Sequence, residues 1–332
     1  MTTGEAVAAR DRGAPPDTAG PGTAGPERPS PARRLLRGLV VAVFLLAAAG
    51  GVALALREQG WEVLARLREP RALPFVLAAL AANLAGLALG AWSWRRILVD
   101  VSGPVPVADS ARIWAVGVFS KYIPGRLWGL LAHVRMGRRA GIPAGRMATV
   151  FLVSFGLVML TGAAVGLLAA PASVGGGAWL LLLPGALLAL GVLRPSLVNG
   201  LIALLARIGR RPPPESTVSP AGIRAGIGWA VASWLVSGLH LWALAVLVGA
   251  DPVAALPVGL GGFALGTVAG SAALILPDGW GARELTLMAA LATVLPWSEA
   301  GVAALASRLI CVLAEVGGAG TVLIVTQLRK AR

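Results

Sequence analysis

Two groups of basic residues sit where apolar sequence is interrupted by proline and glycine. The first interruption is Lys121-Tyr122-Ile123-Pro124-Gly125-Arg126, inside an apolar stretch of about 108–137. The second is Pro277-Asp278-Gly279-Trp280-Gly281-Ala282-Arg283-Glu284, inside a stretch of about 253–296. Proline and glycine break a helix, and a broken helix exposes unpaired backbone N–H groups and a positive dipole end. Lys121, Arg126 and Arg283 add full positive charges beside the breaks. These groups together suit a phosphate, which binds soluble helix N-termini on the same physical grounds.

Other polar residues carry less chemistry. Arg308 and Glu315 are seven apart on one apolar run, about 10 Å along a helix axis, too distant to pair directly. Either both face a cavity between helices or each pairs with another helix. His240 stands alone in an apolar run and is expected to be a hydrogen-bonded packing residue. Asn83 is expected to bond across helices, and Gly86 and Gly90, spaced as GxxxG, to allow close helix contact, with a homodimer left open. The single cysteine, Cys311, excludes an intrachain disulfide and a cysteine-clustered metal site. There is no nucleotide-binding loop and no Asp-rich motif to hold a metal on a diphosphate. No cofactor is implied.

The elements that hold these residues follow from composition. The chain has 332 residues, 57% hydrophobic and 13% charged, with a mean hydropathy of +0.78. A soluble domain carries about 25% charged residues, so this chain lacks the polar surface that water requires. Runs of about 20 apolar residues are long enough to span about 30 Å of hydrocarbon as helix. The alternating segments of about 10 residues that mark a β-barrel are missing. A net charge of +14 would point to nucleic acid in a soluble protein. Here the arginines fall mostly in loops between apolar runs, which is a topology signal, and no nucleic-acid partner is expected.

Candidate spans cover about 35–56, 73–94, 147–169, 178–193, 225–248 and 299–326. Residues 1–32, rich in Pro, Gly, Ala and Thr, are expected to be a disordered tail, leaving 33–332 as one transmembrane domain. Basic residues cluster before the first span, after the second, before the third, between the fourth and fifth, and at the C-terminus. The positive-inside rule puts both termini in the cytoplasm. The loop 57–72 suits a short interfacial helix. Trp61, Trp92, Trp94, Trp179 and Trp297 fall near span ends, as interfacial anchors do.

With this orientation the first broken stretch enters and leaves on the cytoplasmic side. The second does so from outside, or else 253–276 and 284–297 each cross completely. Both stretches run from an apolar helix to a Pro, a Gly, a Trp-Gly pair and a helix carrying Arg (Trp128-Gly129 and Trp280-Gly281). They occupy corresponding positions in two halves of opposite orientation. The expected fold is therefore an all-α polytopic membrane helix bundle with two inverted repeats, each containing a Pro/Gly-broken re-entrant helix pair. Such repeats point to a transporter's site near the bilayer midplane. Charges at that depth are functional by default. The structural alternatives are that Lys121 and Arg126 snorkel to the surface, and that Arg283 pairs with Glu284 or Glu315.

Lys121-Tyr122-Ile123-Pro124-Gly125-x-x-Trp128 and Leu276-Pro277-x-Gly279-x-Gly281-x-Arg283-Glu284 resemble the two hallmark motifs of the lysylphosphatidylglycerol synthase transmembrane-region family, also described as flippase-like. The resemblance runs over roughly residues 35–328. It implies an all-helical membrane fold, a bacterial inner membrane, and movement of a lipid between leaflets. Its best-known members continue into a soluble aminoacyl-lipid synthase domain. This chain stops at Arg332, so synthase activity does not carry over. Carried to this sequence, the site comprises Lys121, Tyr122, Pro124, Gly125, Arg126, Gly279, Gly281, Arg283 and Glu284 for a lipid phosphate, with Arg308 and Glu315 as cavity residues. Asp278 departs from a pattern that often has glycine. The function expected is a transporter of an anionic lipid, such as an aminoacyl-phospholipid or a polyprenyl-phosphate-linked lipid. The alternatives are a membrane-embedded transferase and a non-transporting scaffold for a separate lipid-modifying enzyme.

Overall fold

Alanine and leucine, both strong helix formers, dominate Ala72–Ser102, which forms one 31-residue helix, α1. It stops at Gly103, whose φ of 83° lets its N–H turn back to Val99 O at 2.9 Å, and Pro104 prevents continuation. The computed structural model describes residues 69–123, 127–169, 182–208, 216–272 and 277–330. After α1 come α2 (Val107–Ser120), α3 (Leu127–Arg139), α4 (Ala144–Gly166), α5 (Leu182–Leu193) and α6 (Ser196–Ile208). Then follow α7 (Pro220–Leu247), α8 (Pro252–Ala272), α9 (Ala282–Leu291) and α10 (Trp297–Lys330). No strand occurs among the described residues.

The helix α7 begins with Pro220 at its first position and Ser219 as cap, the serine hydroxyl accepting from Gly222 N–H at 3.0 Å. Asp100, near the end of α1, accepts from both the N–H and the hydroxyl of Ser219 at 2.6 Å. From there α1 and α7 run antiparallel. Ser93 donates to Gly226 O at 2.7 Å, Ser233 to Gly86 O at 2.8 Å, and Asn83 lies 3.4 Å from His240. The approach requires glycine: a Cβ on Gly86 would sit 1.9 Å from Ser237 Oγ. The expected GxxxG contact is thus made within the chain. The apolar core has one cluster between α7, α8, α9 and α10, centred on Leu241, Phe263 and Leu287. Another, with Ile97, Met147, Leu157 and Ile227, joins α1, α4 and α7.

Five helices are long and apolar enough to cross a membrane: α1, α4 extended to Ala169, α7, α8 and α10 up to Arg329. Four of them contain or nearly contain the expected spans 73–94, 147–169, 225–248 and 299–326. The fifth, the 21-residue α8, comes from the second broken stretch. The expected span 35–56, the tail 1–32 and nearly all of the loop 57–72 lie outside the described residues. Of 178–193 the described part is α5, 12 residues and so about 18 Å long. The segment after it, expected as a basic loop, contains a helix instead. Leu197, Leu201 and Leu204 line one exposed face of α6, an amphipathic pattern masked in sequence by the neighbouring arginines.

Two expectations about tryptophan divide. Trp92 and Trp297 are exposed as interfacial anchors should be, whereas Trp94 is 7% exposed and packs inside the protein. The reason is its position. One face of α1 is covered by α7, and Trp94 lies with the residues of α1 that α4 and α7 bury.

Candidate functional site

The helix α2 ends at Ser120, with Lys121 as its C-cap. In the second half of the chain α8 ends at Ala272, and Pro277–Gly279 form a single tight turn before α9. Asp278 takes a left-handed conformation there, φ 46°, which aspartate tolerates better than most residues. Gly279 has φ 69°, and a Cβ on it would fall 2.2 Å from Gly270 Cα, so no larger residue fits against α8. The turn reaches across to the first break, where Asp278 N–H donates to Lys121 O at 3.2 Å. The two interruptions, 157 positions apart in the chain, therefore touch through their backbones.

Their side chains form one charged network with the middle of α10. Lys121 Nζ lies 2.6 Å from Glu315 Oε1 and 3.2 Å from Asp278 Oδ1. Tyr122 donates its hydroxyl to the other oxygen of Glu315. Arg308 lies 2.9 Å from Glu284 and 3.3 Å from Asp278, with its guanidinium 5.4 Å from the Trp280 ring centre. Glu284 uses its second oxygen to accept from Gly281 N–H at 2.8 Å. The expectation of unpaired N–H groups at a broken helix end is therefore not met at Gly281, because the chain's own carboxylate occupies it. Arg308 and Glu315 do not pair with each other; each pairs with residues of other elements.

Arg283 stands apart. It is 4% exposed, yet among the described residues no carboxylate lies within salt-bridge distance of it, so the structural alternative, a pair with Glu284 or Glu315, does not form. Its Nη2 donates to Cys311 Sγ at 3.1 Å, its guanidinium lies 5.4 Å from the Phe263 ring centre, and its Nε has no partner. It lines a partly open cavity of about 350 Å³ whose walls come from α1, α2, α3, α4, α7, α8, α9 and α10. Lys121 and Glu315 form part of the same wall, as do Asn83 and His133.

Of the residues expected to hold a phosphate, Lys121, Tyr122, Gly279, Gly281, Arg283 and Glu284 converge on this region, and Pro124, Gly125 and Arg126 lie outside the described residues. His240 is a hydrogen-bonded core residue, 2.8 Å from Ser307 Oγ. Asn83 bonds across helices to Cys311 at 3.3 Å. Asp278 and Cys311 also belong to the site, beyond the residues that the sequence assigns to it. A charged residue inside a break is a usable signal for the first; a lone cysteine in an apolar helix offers none.

Residues 35–314 match the family model described as Lysylphosphatidylglycerol synthase TM region. The chain belongs to this family. No curated protein matches it. The match covers both breaks and most of the charged network, stopping one residue before Glu315. Membership in the Lysylphosphatidylglycerol synthase TM region family, with five candidate membrane-crossing helices, makes this a multi-pass membrane protein with a lipid-related function.

Proposed function

We propose that this chain moves a phosphate-bearing lipid between the leaflets of a bacterial inner membrane, with the phosphate neutralised by Arg283. The observation that carries this reading is the contrast in pairing. Lys121, Arg308, Asp278, Glu284 and Glu315 all have ionic partners, whereas Arg283 is a buried cation without one and opens onto a cavity. Charged residues buried in membrane proteins are costly, and such residues mark substrate paths. A phosphate supplies the direct charged acceptor that the guanidinium fork lacks.

The arrangement of the halves supports transport. The segments α1–α4 and α7–α10 each contain a long helix, a Pro/Gly break and another long helix, and α1 and α7 are antiparallel. At 14 and 13 residues, α2 and α3 are each about 20 Å long, short of the hydrocarbon thickness, which suits a re-entrant pair. In this reading the contacting tips at Lys121 and Asp278 are where two inverted repeats meet, with both termini cytoplasmic.

The test is lipid translocation in reconstituted vesicles, using a fluorescent phosphatidylglycerol and a quencher confined to the outer leaflet. Wild-type protein should accelerate movement, and Arg283→Ala protein of normal fold should not. Equal rates from both would remove the anion seat and leave Arg283 a structural residue.

A further inference from the structure

A groove of about 290 Å³ lies between α1, α2 and α10. It exists because the facing residues are small: Ala88 and Ala91 on α1, Ala111 on α2, Gly318 and Ala319 on α10. Both α1 and α10 are long and apolar enough to cross a membrane, so a groove between them opens toward hydrocarbon. The lining is apolar except at one end, where the half-buried Arg95 stands beside Ser110. Arg95 donates to Ser110 Oγ at 3.2 Å and to Val105 O at 3.1 Å, and its guanidinium lies 5.3 Å from the ring centre of the exposed Trp92. Among the described residues no carboxylate lies within salt-bridge distance of it. Farther along, Leu87 and Trp114 line both this groove and the cavity of Arg283, so the two spaces share a wall.

We propose that this groove docks an anionic phospholipid before it enters the cavity, with the phosphate on Arg95 and one acyl chain along α1 toward Leu84. The order of the lining matches the order of such a lipid: a cation, an interfacial indole, then apolar side chains. The length matches too. Arg95 and Leu84 are eleven residues apart on α1, about 16 Å along its axis, and one leaflet holds about half of the 30 Å hydrocarbon core. A guanidinium at the mouth suits a phosphate, with which it pairs through two parallel N–H donors. At this end Arg95, Arg96 and Arg112 outnumber Asp100 and Asp109, which favours a lipid of net negative charge over one whose phosphate is offset by an ammonium. The shared wall at Leu87 and Trp114 puts the docked lipid next to the cavity of Arg283. The loading role rests on the reading that a phosphate-bearing lipid is moved; the docking site itself does not.

The experiment uses full-length protein in phosphatidylcholine vesicles and two photoactivatable lipids, phosphatidylglycerol and phosphatidylcholine, each with a diazirine in the middle of one acyl chain. Labelled peptides are mapped by mass spectrometry. In wild-type protein the groove residues of α1 and α10 should be labelled by phosphatidylglycerol over phosphatidylcholine by about 3- to 10-fold, the range of one net hydrogen bond. Arg95→Gln keeps a donor for Ser110 and removes the charge, so it should bring that ratio toward one. Ala88 is exposed, so Ala88→Phe can fill the groove without repacking the core. It should lower labelling by both lipids and slow phosphatidylglycerol translocation. Arg283→Ala should stop translocation and leave groove labelling unchanged. A wild-type ratio near one would overturn the docking site, as would a preference that Arg95→Gln leaves intact. Labelling by neither lipid would overturn it too, and would assign the groove to protein, either residues 35–56 or a second copy. Wild-type translocation in an Ala88→Phe protein with reduced labelling would overturn the loading role, and loss of groove labelling in Arg283→Ala would overturn a separate site. None of these results bears on the phosphate at Arg283, which fails only if Arg283→Ala translocates at the wild-type rate.

Discussion

The two breaks look alike in sequence and do different work. Each has a proline, a glycine, a Trp-Gly pair and basic residues. At the first, Lys121 reaches out of its own half to Asp278 and Glu315, so its charge is used in holding the halves together. At the second, the turn supplies two carboxylates, Asp278 and Glu284, and both face Arg308. The basic residue of the second break, Arg283, is left facing the cavity. Asp278, Glu284 and Glu315 thus face two cations directly, and Arg283, outside salt-bridge distance of all three, is the third positive charge of the region. A basic residue after a helix break is therefore not a role by itself; the role depends on which acids the fold brings within reach.

If that division is right, the largest effect on stability belongs to a cation of the network. Arg308→Ala leaves Asp278 and Glu284 facing each other with one partner fewer, and breaking a buried pair from one side costs about 3–5 kcal/mol. Thermal unfolding in detergent should show a large fall in midpoint, together with low levels in the membrane. Arg283→Ala should behave in the opposite way. It removes a buried charge that has no ionic partner, so the unfolding midpoint should stay near wild type. Translocation of phosphatidylglycerol should fall by about 10- to 150-fold, equivalent to 1.5–3 kcal/mol for a charge-assisted hydrogen bond. A midpoint loss matching that of Arg308→Ala would erase the distinction between the two arginines.

The membrane class and the positions of four long helices are legible in sequence, because run length and apolarity alone decide whether a segment can span a bilayer. The breaks are legible for the same local reason. Pairing is not. The Lys121–Glu315 contact joins residues 194 positions apart, and Glu315 could have chosen other cations until the tips met. Glu284, three residues after Gly281, has the spacing of a helix-capping acid, whereas the family resemblance groups it with phosphate ligands. Trp94 matched the pattern of an interfacial anchor; only the packing of α1 against its neighbours distinguishes it from Trp92.

The contact between the tips can be tested without touching a charge. Gly279→Ala should cost roughly 1–3 kcal/mol, because alanine at φ 69° is strained and its Cβ would meet Gly270 Cα at 2.2 Å. The cost should appear as a lower unfolding midpoint. Wild-type stability in this variant would mean that the turn has room to move away from α8, and the close approach would lose its significance.

A small change in stability is also expected from Asp278→Gly, where two opposing effects nearly cancel. The substitution relieves a non-glycine residue at φ 46°, worth about 1–2 kcal/mol. It also removes a carboxylate from two ion pairs. Neither cation is orphaned, because Lys121 keeps Glu315 at 2.6 Å and Arg308 keeps Glu284 at 2.9 Å. The backbone bond from residue 278 to Lys121 O does not depend on the side chain. The unfolding midpoint should therefore move by no more than the equivalent of about 1 kcal/mol in either direction. Anion binding should respond more clearly. A phosphate on Arg283 leaves the cluster with one excess negative charge, and removing Asp278 cancels it. Retention of phosphatidylglycerol by the purified protein, measured by mass spectrometry, should rise above wild type. A collapse in stability like that of Arg308→Ala would instead make Asp278 the bridge on which the contact between the two halves depends, and the glycine-tolerant pattern of the break would then have to be explained by a different packing of the tips.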